Sequence, residues 1–423
     1  MQRPLCPVET MYVGQRSRAV VSCSVRGPVD DRLLAAAFTD LLARHPTLRC
    51  AIAPADGGFA LRELDAPPRL ETYGPGERTY ADEINTPLPV GGPLVRAVLM
   101  RGDGTHSVVL SVDHTISDGG SALALHDALW ARYGVLLDAP DAPPEPYRTT
   151  WPVPVTELLP PCSEEEAARY FDERVRAVRA RPVELLPHDA APQAGGGRIE
   201  VARFVLDAEH TTALRAAASA AQVSVHGLIV AALLTTVRRR LGGDGPRSLS
   251  CFSPLDLRSR LTPPLPSELM VAAVSFHTET LDVAPDSDPL PLARQVRRGL
   301  NRAGLAGEPF TQMRVLARAA EFPAVMLSTV IATNLRAITG PRLPAGLELR
   351  DLRLVPAREN YFPQAGRGPV MACITTFDGR LAVEFPYWTE CFGGASMAAF
   401  SSEVRSALLD HVATRVPAAT PAL

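Results

Sequence analysis

The sequence of 423 residues predicts a mixed α/β (α+β) fold in two lobes. Three observations predict it: helical and strand patterns alternate along the chain, the chain exceeds the roughly 100–200 residues of one domain, and hydrophobic residues make up 46% of it. That share of hydrophobic residues is enough to bury an apolar core in each lobe.

Helices are predicted where apolar residues recur at helical spacing. The segments with this pattern are Asp30–Arg44, Ser121–Tyr133 and Val223–Leu241. The last of them ends in three arginines, and cations in a last turn suit the helix dipole. We therefore interpret this arginine run as a solvated helix end and not as a binding patch.

Strands are predicted where apolar residues alternate or run together over a short stretch. The clearest strand is His106–His114, in which Val108, Leu110, Val112 and His114 share one face because side chains alternate with period two. Further apolar runs predict strands at Val271–Phe276, Ala324–Ile331, Val370–Thr376 and Leu381–Phe385.

Two segments rich in proline and glycine interrupt these patterns, namely Ala139–Pro161 and Leu186–Gly197. Segments of this composition form loops or linkers. We therefore predict an N-terminal lobe over residues 1–185, a linker over 186–197 and a C-terminal lobe over 198–423.

Composition excludes several function classes. The chain has no lysine, so its 43 basic residues are all arginine. This removes Schiff-base lysine chemistry and the lysine of a phosphate-binding P-loop. A formal net charge of −3 argues against a nucleic-acid binder, which normally carries a basic excess.

Membrane spans, export signals and metal sites are not indicated either. No stretch reaches the roughly 20 apolar residues of a membrane span, and the N-terminal segment lacks the apolar core of a signal peptide. The seven cysteines are scattered and form no CxxC pair, which predicts reduced thiols and no zinc site. We expect a cytoplasmic monomer without a metal ion.

The residues best suited to chemistry lie at the end of the strand His106–His114. His114 closes that strand on its apolar face, and Asp118 follows four residues later, directly before Gly119. A histidine in apolar surroundings is neutral near pH 7 and can act as a general base. Taken alone, the same pattern also fits a core histidine with a structural hydrogen bond.

The HxxxDG pattern resembles the active-site motif of the chloramphenicol-acetyltransferase-like superfamily. This superfamily includes the condensation domains of nonribosomal peptide synthesis and the polyketide-associated acyltransferases of actinobacteria. Other segments agree in order: Arg44–Arg49 is similar to the RHxxLR motif, Pro254–Arg258 to the VDLR strand end and Asp378–Tyr387 to a late strand pair. Together these marks cover nearly the whole chain.

The resemblance implies two similar lobes that form a V around a central tunnel, with His114 as the catalytic base. An acyl thioester on a phosphopantetheine arm, from coenzyme A or an acyl carrier protein, would enter one mouth. An alcohol or amine acceptor would enter the other. No permanently bound cofactor and no nucleic-acid partner are expected.

The resemblance also assigns roles to other residues. Asp118 and Gly119 would hold the loop after His114, and the pairing known in the family implies an ion pair between Asp118 and Arg49. Arg258, at the VDLR-like strand end, and Asn334, which resembles an asparagine near the tunnel, are candidates for tunnel or substrate contacts.

Asp113 stands where condensation domains usually have the first histidine of HHxxxDG. We include it among the candidates for substrate contacts, although strand alternation points it away from the face of His114. The main prediction is a free-standing acyltransferase. A degenerate condensation-like domain that binds a carrier protein or pathway partner without catalysis, or a cyclase on the same scaffold, stays open as an alternative.

Overall fold

The structure is a computed structural model that describes residues 2–190, 196–360 and 366–413. The chain divides into two compact units. Unit 1 comprises Met1–Pro160, Asp256–Val274 and Thr339–Tyr361, and unit 2 comprises Pro161–Leu255, Ser275–Ile338 and Phe362–Leu423. Each unit contains a sheet and helices, which confirms the predicted α/β class.

The strands and helices follow in chain order. The strands are β1 (Gln2–Pro4), β2 (Ser17–Arg26), β3 (Cys50–Ala55), β4 (Gly58–Glu63), β5 (Leu70–Tyr73), β6 (Val95–Met100), β7 (Thr105–Asp113), β8 (Leu186–Pro187), β9 (Ile199–Leu206), β10 (Arg247–Asp256), β11 (Val274–Val283), β12 (Val330–Ile338), β13 (Glu348–Arg358), β14 (Arg367–Gly368), β15 (Val370–Phe377) and β16 (Arg380–Trp388). The helices are α1 (Pro7–Gln15), α2 (Asp31–Arg44), α3 (Tyr80–Asn85), α4 (Gly119–Asp138), α5 (Val155–Leu158), α6 (Glu164–Ala180), α7 (Ala208–Ala220), α8 (Val225–Arg240), α9 (Pro289–Leu305), α10 (Glu308–Val315) and α11 (Gly394–Ala413).

The boundaries of the units differ from those of the predicted lobes. The first segment of unit 1 ends at Pro160 and not at residue 185, because Phe171 of α6 packs with Val315 and Val325 of unit 2. Unit 1 also takes in β13, which pairs with β2. Of the predicted linker 186–197, residues 191–195 lie outside the described residues, and β8 at its start pairs with β14.

Unit 1 is built on a sheet with the strand order β13-β2-β7-β6-β5, in which only the β5–β6 pair is parallel. Helices α2 and α4 cover one face, where Phe38 and Trp130 pack with Val108 and Leu110 of β7. On the opposite face, the Tyr80 hydroxyl of α3 donates to the carbonyl oxygen of β2 residue 20 at 3.0 Å. The side chains of β7 therefore alternate between the face covered by α2 and α4 and the opposite face of the sheet.

Unit 2 is built on a sheet with the strand order β11-β10-β12-β15-β16-β9. Its last four strands repeat the arrangement of β5-β6-β7-β2 in unit 1. In both sets, a parallel pair is followed by an antiparallel hairpin and then by an earlier antiparallel strand. In both sets, a long helix follows the hairpin, α4 in unit 1 and α11 in unit 2.

Helix ends follow the sequence closely. Asp30 caps α2 through hydrogen bonds from the backbone N–H groups of residues 32 and 33, and Ser224 caps α8. Asp and Ser at this position satisfy backbone donors that have no partner inside the helix. Helices α2 and α8 confirm the helices predicted over Asp30–Arg44 and Val223–Leu241.

Two predicted strands are placed differently by the structure. The sequence predicts one strand over Ala324–Ile331, but Pro323–Met326 forms a 3₁₀ turn and β12 begins only at Val330. The run Val271–Phe276 joins β11 only from Val274, since the preceding backbone folds into local turns. Short apolar runs do not distinguish strand from turn by periodicity alone.

No single helix in the described residues is long and apolar enough to cross a membrane. Two consecutive helices, Ala208–Ala220 and Val225–Arg240, are together long and apolar enough for a membrane span by length and composition only, and they are bent by 97° relative to each other.

Candidate active site

His114 is the first residue after β7, and β2 fixes its position. Its backbone N–H donates to the carbonyl oxygen of Ser17 at 2.8 Å, which continues the β7–β2 ladder by one step. The His114 side chain therefore extends from the same face as Val112, as the alternation predicts. The ring is half-buried at the end of the sheet in unit 1.

Tyr12 of α1 holds the His114 ring by stacking. The two ring centroids are 4.1 Å apart, and the ring planes are inclined by only 5°. Burial raises the pKa of Tyr12 to about 12, so its phenol stays protonated at neutral pH. The sequence offered no motif for Tyr12, because it lies far from His114 along the chain.

The surroundings of His114 favour the neutral imidazole. The pKa of His114 is lowered to about 4, mainly by burial and also by the Arg358 guanidinium, whereas Asp118 and the backbone of residues 114 and 117 act in the opposite direction. Its Nδ1 atom is buried and makes no hydrogen bond of good geometry with the described residues. A neutral ring with an available nitrogen lone pair is the form that a general base requires.

Asp118 organises the loop between His114 and α4. Its Oδ1 atom accepts a hydrogen bond of 2.8 Å from the backbone N–H of Ser121, and the Ser121 hydroxyl accepts from the N–H of Asp118, which forms a capping box. Its Oδ2 atom accepts from the backbone N–H of Ala273 at 2.9 Å. Gly119 is the first residue of α4.

The partner of Asp118 is Arg258, so the predicted ion pair between Asp118 and Arg49 is wrong. Arg258 donates to Oδ2 of Asp118 from Nε at 3.2 Å and from Nη2 at 2.8 Å. Its remaining hydrogen bonds go to the backbone carbonyl oxygens of residues 266, 269 and 271. Both side chains are about 6% exposed, and each guanidinium nitrogen of Arg258 donates to Asp118 or to a backbone carbonyl oxygen, so this arginine holds the loop.

Arg49 lies at the end of the 3₁₀ turn Pro46–Arg49 and extends toward another part of unit 1. It donates to the carboxylate of Glu63 at 3.4 Å and to the carbonyl oxygen of Arg148 at 2.7 Å, and its guanidinium lies over the ring of Tyr147. These contacts tie the segment around residue 148 to β4. They use the donors that an Asp118 pair would need.

Asp113 lies on the opposite face of the sheet from His114. Its Oδ1 atom accepts from the backbone N–H of Thr115 at 2.8 Å, and its carbonyl oxygen accepts from the Ser117 hydroxyl at 2.9 Å. Burial raises the pKa of Asp113 to about 6, and the nearby Arg16 and Arg18 oppose that shift. Asp113 therefore stabilises the turn after β7 from the face of the sheet opposite to His114.

Arg358 ends β13 and joins His114 on one face of the sheet. It pairs in register with Ser17, which in turn pairs with His114. Directly paired residues in neighbouring strands point to the same face, so Arg358, Ser17 and His114 line one level of the sheet. Arg358 is half-buried, and the sequence pattern gave no sign of its proximity to the motif.

Asn334 lies in unit 2, on β12. Its Oδ1 atom accepts from the backbone N–H of Arg336 at 2.8 Å, where the register between β12 and β15 shifts. Arg336 has a φ of 62°, so the asparagine stabilises a local bulge. Among the described residues, no group of three or more His, Cys, Asp or Glu side chains is placed to hold a metal ion.

Comparisons of the sequence find similarity to transferases. The family profile described as phthiocerol/phthiodiolone dimycocerosyl transferase C-terminus matches residues 195–386. The phthiocerol/phthiodiolone dimycocerosyl transferase of Mycobacterium tuberculosis is 25% identical over 377 residues, which cover 83% of this chain and 85% of that protein.

Comparisons of the structure extend over the whole fold. Polyketide synthase associated protein 5 from M. tuberculosis superposes with a TM-score of 0.74 at 21% identity, covering 97% of this chain and 98% of that one. The trichothecene 15-O-acetyltransferase TRI3 of Fusarium sporotrichioides gives 0.74 at 12% identity, with coverages of 97% and 95%. The first condensation domain of the calcium-dependent antibiotic synthetase gives 0.71 at 18% identity, with coverages of 99% and 98%.

Proposed function

We propose that the chain is an acyltransferase of the chloramphenicol-acetyltransferase-like superfamily. From that premise we propose that it moves an acyl group from a phosphopantetheine thioester, on coenzyme A or an acyl carrier protein, to a hydroxyl or amine of a natural product or lipid. The observation that carries this proposal is His114, a neutral imidazole stacked on Tyr12 in a loop clamped by Asp118 and Arg258.

His114 acts first as a base and then as an acid. Its Nε2 atom takes the proton of the acceptor O–H or N–H while the acceptor oxygen or nitrogen attacks the thioester carbonyl carbon. The tetrahedral intermediate then collapses, the C–S bond breaks, and the proton on Nε2 passes to the leaving sulfur. Proton transfer by a positioned side chain is worth about 10²–10⁴-fold. We assign the transfer to Nε2 because Nδ1 is shielded from solvent.

The surrounding residues keep the base in place without joining the chemistry. Tyr12 limits rotation of the His114 ring, and the Asp118–Arg258 pair fixes the turn that follows it. Two guanidinium N–H groups of Arg258 donate to the single oxygen Oδ2, and charge-assisted hydrogen bonds of this kind are stronger than neutral ones. Positioning of this kind lowers the entropic part of the barrier for a reaction between two bound substrates.

The test measures acceptor-dependent thiol release. The full chain is incubated with acyl-coenzyme A and acyl-carrier-protein thioesters and with panels of alcohols and amines, and free thiol and acylated product are quantified together. We expect one product acylated for each thiol released. Release that is independent of any acceptor would indicate a thioesterase, and no release with any donor would favour the non-catalytic alternative.

The matched control uses Thr389, which occupies in unit 2 the strand-end position that His114 occupies in unit 1. His114→Ala is expected to lower product formation by about 10²–10⁴-fold, whereas Thr389→Ala is expected to retain it. Equal activity in the two variants would remove His114 from the mechanism.

A further inference from the structure

In the unit 1 sheet, His114 is in register with an arginine, Arg358, and with a serine, Ser17, whose hydroxyl has no hydrogen-bond partner among the described residues. Arg358 of β13, Ser17 of β2 and His114 after β7 lie side by side on adjacent strands. With strands roughly 4.8 Å apart, the backbones at Arg358 and His114 are separated by about 10 Å. The Arg358 guanidinium is close enough to add to the lowering of the His114 pKa that burial causes.

Ser17 marks the space between them as polar. Its side chain is fully buried, and its hydroxyl has no hydrogen-bond partner among the described residues. A buried hydroxyl without a partner is costly unless a ligand or water satisfies it. The position of Ser17 between a cation and a base suits a ligand that carries oxygen atoms.

We propose that Arg358 binds the oxyanion of the tetrahedral intermediate formed at His114, with the Ser17 hydroxyl as a second donor. This inference rests on the proposed acyl transfer. The intermediate has gained an electron pair on the former carbonyl oxygen, and that charge develops beside the base which has just taken the acceptor proton. A fixed cation at this point stabilises the charge without reorganisation of solvent.

The electrostatics around Arg358 agree with this placement. Its positive charge lowers the pKa of both His114 and Tyr12, so the guanidinium acts on both stacked rings. The Arg358 charge, which adds to the effect of burial in keeping His114 neutral, also favours a negative charge on the substrate.

The kinetic test compares two arginines of β13. Arg358→Gln is expected to lower kcat by about 10²–10³-fold, the usual effect of losing one oxyanion donor, with KM changed little. Arg358→Lys keeps the charge and should retain more activity, and added guanidinium should partly restore an Arg358→Ala variant. Arg350→Gln is the control, because Arg350 forms an exposed ion pair with Glu348 on the same strand.

A binding test separates this inference from the proposed function. S-pantetheinyl butylphosphonothioate carries an anionic oxygen on a tetrahedral centre, and S-butyl pantetheine is its neutral counterpart. The wild-type protein should bind the anionic compound at least tenfold more tightly than the neutral one, and Arg358→Gln should bind the two alike. This preference is measurable by calorimetry even if no acceptor is ever acylated.

The outcomes are decisive in each direction. An anion preference that depends on Arg358 supports the inference even if acyl transfer fails. A wild-type protein without that preference, or an Arg358→Gln variant that keeps it, overturns the inference. A third outcome also overturns the inference: Arg358→Gln acylates at wild-type kcat and shifts only the acidic limb of the pH profile. Arg358 would then affect only the pKa of His114. If Arg358→Gln does not fold, Arg358→Lys is compared in the same two assays.

Discussion

The β7–α4 connection of unit 1 and the β16–α11 connection of unit 2 occupy the same place in two similarly ordered sets of strands. The N–H of His114 donates to Ser17 at 2.8 Å, and the N–H of Thr389 donates to Arg198 at 3.0 Å in the equivalent register. Gly393 directly precedes α11, as Asp118 directly precedes α4. The fold therefore builds one backbone connection twice.

The side chains of the two connections differ in how their polar groups are satisfied. In unit 2, the Thr389 hydroxyl accepts from the N–H of Arg198 at 3.1 Å, and Asp189 accepts from the N–H of Gly393 at 2.8 Å. In unit 1, Nδ1 of His114 and the hydroxyl of Ser17 lack a partner among the described residues. Unsatisfied polar groups, and not the backbone path, distinguish the candidate active site from its structural counterpart.

The largest expected effect comes from replacing His114, the residue that distinguishes the two connections. His114→Ala should lower acyl transfer by about 10²–10⁴-fold, because it removes the proton acceptor and little else. Its melting temperature should stay within a few degrees of the wild type, since the His114 ring is half-buried and its Nδ1 atom makes no structural hydrogen bond. Thr389→Ala should keep its activity. Calorimetry and the thiol-release assay give both numbers, and a fully active His114→Ala protein would contradict the assignment.

The second effect concerns the Asp118–Arg258 pair, which has no equivalent at Gly393. Asp118→Asn leaves a buried arginine without its counter-charge, which should cost about 3–5 kcal/mol of unfolding free energy. Because both residues belong to one pair, Arg258→Gln should add little to the loss in the double variant. Urea unfolding measures the free energy of unfolding of Asp118→Asn, Arg258→Gln and the double variant.

Arg49 supplies the control for that cycle. Arg49→Gln removes hydrogen bonds to Glu63 and to backbone oxygens, so its own cost should add to that of Asp118→Asn. Strong coupling between positions 49 and 118, with none between 118 and 258, would indicate that Asp118 pairs with Arg49 and not with Arg258.

A smaller effect comes from Tyr12, since an aromatic stack is worth about 0.5–1.5 kcal/mol. Tyr12→Ala should lower kcat by at most roughly tenfold through a less ordered His114 ring. Tyr12→Phe should retain wild-type kcat because the stack needs only the ring. Steady-state kinetics of the two variants decide the point, and equal losses in both would assign the effect to the hydroxyl.

The smallest effect is on pH dependence. The pKa of His114 is lowered from 6.5 to about 4, so its base form persists well below neutrality. At pH 5, kcat/KM should remain at roughly nine-tenths of its plateau. A half-point near 6.5 would contradict the buried environment of His114.

The same pKa shift has a consequence for folding. A histidine whose folded pKa is lowered stabilises the protein fully above the unfolded value of 6.5, and this contribution is lost as the pH falls toward about 4. His114→Ala should therefore lose less stability than the wild type over that interval. Unfolding free energies measured at the two ends of the interval test this difference.

The sequence predicted the local parts of the molecule well and the distant contacts poorly. Helix α2 and strand β7 follow from short-range patterning, and so does the face on which His114 lies. Tyr12 and Arg358 could not be predicted, because their contacts with His114 depend on how separated segments pair in the sheet. In a chain with 43 arginines, residue type could not identify Arg258 as the partner of Asp118.

Strand β13 is an edge strand whose residues are synthesised long after the rest of its sheet. It covers β2 along nearly its whole length, and residues 256–274, which contain Arg258 and Ala273, supply the donors that hold Asp118. A ribosome that has completed residues 1–185 has therefore made a sheet with an open edge and a loop without its clamp. An open strand edge favours association with other chains. The N-terminal half expressed alone should aggregate, and coexpression of residues 198–423 should rescue it.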